Sequence, residues 1–130
     1  MLVVDASATL QACLSADGFR PLRRETLVAP PLVWSEATSV LHEMLWRREI
    51  SSELSAAARR RLAQAPIKRR SPAGLLEAAS CIADAFGWAK TYDAEYVALA
   101  EILSCRLFTI DERLKSTASR IVTVVGPLDL

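Results

Sequence analysis

A chain of 130 residues has room for a single domain, residues 1–130, with one core that buries most of its apolar surface. It is 52% hydrophobic and 24% charged with only four glycines, which excludes a disordered or low-complexity chain. Its 16 basic residues against 15 acidic ones, a net charge of +1, exclude a protein that coats nucleic acid by bulk charge but not one with a local basic patch.

No apolar run approaches the roughly 20 residues of a membrane span. The start, Met1 to Asp5, lacks the basic region and long apolar stretch of a secretory leader, so the expected compartment is the cytoplasm, with no membrane partner. Cys13, Cys81 and Cys105 are an odd, widely spaced set without a Cys-x-x-Cys pair. They read as small hydrophobes packed in the core.

Short β-rich runs alternate with helical ones along the chain. Leu2, Val3 and Val4 form a buried strand that ends at Asp5, and a helix over 6–16 follows until Asp17, Gly18 and Pro21 break it. Leu27 to Ala29 is a second strand, closed by Pro30 and Pro31, which open a helix over 32–48. Ser51 or Ser52 caps the next helix, which runs to Gln64 and stops before Pro66. A third strand is expected over 67–71, and a helix over 73–86 ends at Gly87. A long helix over 92–104, a strand over 107–110 and a short helix over 112–118 come next. A last strand covers 121–125. Strands separated by helices make a mostly parallel sheet covered on both faces, a three-layer α/β/α class.

In such a sheet, ligands bind beyond the carboxyl ends of the strands. Two strands here end at an aspartate, Asp5 and Asp111. An aspartate in that place is also an ordinary helix cap, so helical spacing carries the next step. In the 32–48 helix, Glu36 lies three residues after Val33 and four before Val40, inside the apolar stripe. In the 92–104 helix, Asp93 lies three before Tyr96 and four before Val97, again on the inner face. Glu43, Glu53, Glu77 and Glu95 read as solvated surface.

An ionised carboxylate facing a core costs several kcal/mol, roughly, unless it is paired, hydrogen-bonded or bound to metal. Four separate salt bridges are one solution, but the basic residues cluster in loops and on helix surfaces. Convergence on a shared hard cation is the other, and an all-carboxylate set suits Mg2+ or Mn2+ rather than zinc. Thr109, two residues before Asp111, and Ser7, two after Asp5, are placed to orient those carboxylates.

Residues Val3 to Ala8, Glu36 after the proline pair, Thr91 to Ala100 and Phe108 to Leu114 together resemble the PIN-domain nucleases, and more narrowly the VapC toxins of bacterial toxin–antitoxin pairs. The resemblance spans nearly the whole chain. It implies a metal site built from Asp5, Glu36, Asp93 and Asp111, with Asp5, Asp93 and Asp111 as direct ligands and a supporting hydroxyl at Thr109. It further implies a metal-dependent endoribonuclease, a homodimer, and a cognate antitoxin that occludes the site. The Ala- and Leu-rich stretch 71–86 offers a groove for a partner helix. Glu36 either ligates or takes a proton from the attacking water.

Arg59, Arg60, Arg61, Lys68, Arg69 and Arg70 flank Pro66 and form either a phosphate-contacting patch or a solvated face. His42, six residues past Glu36, falls on the far side of its helix. Trp34, Trp46 and Trp88 read first as core or dimer packing and second as base-stacking surfaces. Two other functions fit the fold class. One is a PIN-domain nuclease of RNA or DNA processing without an antitoxin. The other is a phosphoacceptor signalling domain, which calls for adjacent acids after the first strand and a lysine closing a later one; Asp5 has no acidic neighbour, and the last strand runs into Gly126 and Pro127.

Overall fold

The computed structural model describes residues 1–130, and helix separates each strand from the next. The elements are β1 (Leu2–Val4), α1 (Ala6–Leu14), β2 (Leu27–Ala29), α2 (Leu32–Trp46), α3 (Ser52–Ala63), β3 (Ile67–Arg69), α4 (Leu75–Phe86), α5 (Tyr92–Leu103), β4 (Arg106–Phe108), α6 (Glu112–Ala118) and β5 (Val124–Val125), with 3-10 turns at Arg20–Leu22 and Pro127–Asp129. All strand pairs are parallel, in the order β3-β2-β1-β4-β5. The first strand is therefore central: Val3 pairs with Val28 on one side and Leu107 on the other. Every residue of β1 and β2 is buried, as in a parallel sheet covered on both faces, and the architecture is the expected three-layer α/β/α.

Two cores hold it together. The larger joins the sheet to α4, α5 and α6, while Cys13, Ala37, Leu41, Ala58 and Leu62 bind α1, α2 and α3 to one another. Helix α5 is buried without a break from Tyr96 to Ala100 and packs on α4, β1 and β4. Its small residues allow that close approach, and its first turn is fixed relative to the sheet. No helix is long and apolar enough to cross a membrane.

Several expectations are corrected. The helix expected to reach Arg48 stops at Trp46, because Arg47 is its C-cap and Arg48 takes a left-handed φ of 57°. The last strand shrinks to Val124–Val125, since the N–H groups of Ile121 and Val122 both turn back to the Ala118 carbonyl and end α6. The helix expected from 73 begins at Leu75, after Gly74 at φ 81°. Cys81 is exposed rather than in the core: it lies two residues past buried Ala79, about 200° around α4.

Candidate active site

Asp5 follows β1 directly and is the N-cap of α1. Its Oδ1 accepts from the Ala8 N–H at 2.9 Å and from the Ser7 hydroxyl at 2.8 Å, and its Oδ2 accepts from the Thr109 hydroxyl at 2.5 Å. The cap arises because the first N–H groups of a helix have no partner within it, and a short acidic side chain reaches back to them. Asp5 is nevertheless only 4% exposed. Burial pushes its carboxyl up to about 6; the three hydrogen bonds pull it down, and the Asp93 charge pushes it further up.

Asp111 repeats the arrangement beyond the adjacent strand β4. As N-cap of α6 it accepts the Arg113 and Leu114 N–H groups on Oδ1, leaving Oδ2 free. Its own N–H donates to the Thr109 hydroxyl oxygen at 3.0 Å. Thr109 thus joins the two caps through one buried oxygen, donating to Asp5 and accepting from Asp111. Ser7 stands 3.2 Å from it, and the Ile110 N–H donates to Ser7. Both hydroxyls lie where their spacing places them.

The other two acids come from the helices. Glu36, on the inner side of α2, accepts the Tyr96 hydroxyl on Oε1 at 2.6 Å and leaves Oε2 free. Burial raises its carboxyl, the Tyr96 bond lowers it and the Asp93 charge raises it. Asp93 sits in the first turn of α5, open to solvent at its tip and without a hydrogen bond or ion pair from protein. Its carboxyl is raised by burial first and then by Asp111, while Arg113 pulls it down without coming within ion-pair distance. Asp93 is the acid the other three share. Glu95, read above as surface, is a correction: it is half-buried, and desolvation and the Glu36 charge raise its carboxyl. Helical spacing alone cannot find it, because the neighbour that crowds it belongs to α2.

None of these acids is paired with a lysine or arginine. The four ion pairs in the chain are Arg20–Asp17, Arg47–Glu43, Arg106–Glu25 and Lys115–Asp129. No three of the His, Cys, Asp and Glu side chains stand close enough to close around an ion as they are oriented. The donor chemistry nonetheless fits a hard divalent cation. Asp111 and Glu36 each keep an unbonded oxygen, Asp93 keeps both, and no thiol or imidazole stands among them. Mg2+ or Mn2+ matches such a set.

The basic stretches divide. Arg61 donates from Nη1 to the carbonyls of Cys13 and Ser15, both at 2.9 Å, so it serves the orphan C-terminal carbonyls of α1 and not an open patch. Arg69 stacks on Trp34 with its guanidinium carbon 4.9 Å from the ring centroid. Arg59, Arg60, Lys68 and Arg70 are exposed, and so is His42. Trp88 packs on Phe86, but Trp46 is 81% exposed and belongs to no core. It lies at the very end of α2, past the last buried position, Leu41.

A family model described as PIN domain matches residues 2–119. Among curated proteins the chain is similar to VapC ribonuclease Mb0985 of Mycobacterium bovis and to ribonuclease VapC9 of Mycobacterium tuberculosis. Each is 38% identical over 128 residues, covering 96% of this chain and 98% of the relative. Among solved structures it is similar to PAE2754 from Pyrobaculum aerophilum, with a TM-score of 0.73 and 26% identity across 96% of this chain and 89% of that one.

Proposed function

Because the chain belongs to the PIN-domain family, we propose that it is a metal-dependent endoribonuclease, the toxin of a toxin–antitoxin pair, with Asp5, Glu36, Asp93 and Asp111 as its catalytic acids. One observation carries the reading. Acids from four separate stretches of chain lie near enough to raise one another's carboxyls, Asp93 raising Asp5 and Glu36 and being raised by Asp111, and no cation of the protein is paired with any of them. Such an arrangement is unfavourable by itself and becomes favourable around a shared divalent ion. The relatives named ribonuclease support the choice of RNA as substrate.

Asp5, Asp93 and Asp111 would ligate Mg2+ or Mn2+ directly in this reading, and the Glu36 carboxylate beside them would add to the ion's affinity by its charge and by ordering water. When bound, the ion neutralises charge on the phosphoryl oxygens and acidifies water beside the scissile bond. Thr109 and Ser7 hold Asp5 and fix its spacing from Asp111. Glu36 takes the proton of the attacking water as the new oxygen–phosphorus bond forms. The ester bond on the opposite side breaks, and the departing oxygen is protonated from solvent. Arg59, Arg60, Lys68 and Arg70 contact the RNA backbone. Homodimer formation and occlusion by an antitoxin that places a basic side chain among the acids complete the reading, with the RNA substrate setting its place of action in the cytoplasm.

The test is cleavage of total bacterial RNA by purified protein with Mg2+, with Mn2+, with EDTA, and by Asp93→Asn. Cleavage only by wild type with metal supports the reading. Cleavage that persists in EDTA or in the variant overturns it.

A further inference from the structure

We infer that Tyr96 is a positioning residue, whose phenol holds one oxygen of Glu36 so that the other is kept for the ion or the water at the acidic edge. The inference rests on the nuclease reading above. Tyr96 is 1% exposed and among the largest fully buried side chains of the protein. Its hydroxyl crosses from α5 to α2 and donates to Glu36 Oε1 at 2.6 Å. A phenylalanine would fill the same core space, so packing does not call for the hydroxyl. A buried phenol does need an acceptor, and the one it has is a carboxylate.

Glu36 has no other hold. Asp5 and Asp111 are short side chains locked by the N–H groups of their own helices. Glu36 stands in mid-helix on a longer, freely rotating stem, and the Tyr96 hydroxyl is the only group of the protein bonded to it. The clamp also comes from a telling place. Tyr96 lies three residues after Asp93 on α5, one helical turn along the same face. One rigid, buried helix therefore brings a carboxylate to the edge and sets the orientation of a second one on α2 through a hydrogen bond that crosses between the two helices.

Tyr96→Phe removes the hydroxyl and keeps the ring. In calorimetric titration with Mn2+ the variant is expected to bind on the order of 10-fold more weakly than wild type, the usual loss when a group that orders the surroundings of a metal site is released. Glu36→Gln weakens binding as well, and adding Tyr96→Phe to it brings no further loss. Cleavage of RNA follows the same pattern: raised Mn2+ rescues Tyr96→Phe but not Glu36→Gln. Equal losses from Tyr96→Phe in both backgrounds, or no loss in either, overturn the assignment.

A second measurement needs no change at position 96. The chain has two tyrosines, so tyrosine isotopically labelled at Cζ gives two resonances, and Tyr92→Phe identifies them. Titration with Mg2+ shifts the Tyr96 resonance in wild type and leaves it fixed in Glu36→Gln. A Tyr96 resonance that stays fixed in wild type through saturation overturns the inference. A wild type that neither binds Mn2+ nor cleaves RNA overturns the nuclease reading itself, and the positioning role with it.

Discussion

Asp5→Asn removes a charge from a carboxyl that is 4% exposed and that burial pushes from 3.8 to about 6. At 1.36 kcal/mol per pH unit, that displacement corresponds to about 3 kcal/mol held against the ionised form. The sign follows from proton binding. Folded Asp5 binds its proton more tightly than unfolded Asp5, so its contribution to stability is complete below about pH 4 and is lost as pH rises through about 6. The amide keeps the contacts: its oxygen accepts from Ala8 and Ser7 as before, and its Nδ2 donates to Thr109, whose hydroxyl turns to accept. The metal-free variant is therefore expected to be more stable than wild type at neutral pH by roughly 1–3 kcal/mol, about 4–10 °C in Tm for a chain of this size. Near pH 4 the difference disappears. Circular dichroism melts in EDTA across this range make the comparison, and a second series adds Mn2+. Wild type gains about 2.7 kcal/mol at a hundredfold excess over Kd, and the variant gains little. A variant less stable than wild type at every pH refutes the claim that the Asp5 charge burdens the metal-free fold. One that Mn2+ still stabilises fully removes Asp5 from the ligand set.

Thr109→Val takes away both the donor to Asp5 and the acceptor for the Asp111 N–H; cleavage is expected to fall on the order of 10–100-fold in a single-turnover assay, while Thr109→Ser keeps most of it. Arg61→Ala frees the Cys13 and Ser15 carbonyls and is expected to lower stability by about 1–3 kcal/mol in urea denaturation with kcat unchanged, the opposite of what a substrate-binding arginine gives. Replacing Lys68 and Arg70 together by alanine is expected to raise KM and flatten its dependence on salt while sparing kcat; an unaltered salt slope removes both from the RNA path.

The four acids stand out in the sequence as candidates because each breaks a local rule. Asp5 directly follows a buried strand, Asp111 lies three residues past the end of another, and Glu36 and Asp93 stand among apolar stripes, so one-dimensional spacing is enough to propose them. What spacing cannot carry is contact between elements far apart in sequence. Glu95 reads as outward-facing on its own helix and is crowded by Glu36 of another. Arg61 reads as part of a basic run, yet α1, packed alongside, supplies two carbonyls that need donors. The ring of Tyr96 fits the stripe, while the partner of its hydroxyl lies 60 residues earlier. Cys81 has apolar neighbours in sequence, but they face the other way around α4. The last strand failed for a different reason: all five residues from 121 to 125 are β-branched and satisfy strand propensity, whereas the first two N–H groups are taken by the end of α6.

Because the opening strand is the centre of the sheet, it waits during synthesis for β4 to pair with it, and Asp5 waits for a threonine made 104 residues later. A growing chain on the ribosome therefore carries its first acid long before that acid has its companions. Under the nuclease reading, this order of manufacture is a safeguard: the blade is assembled last, and the surrounding RNA of the translation machinery is spared until the polypeptide has emerged past Asp111.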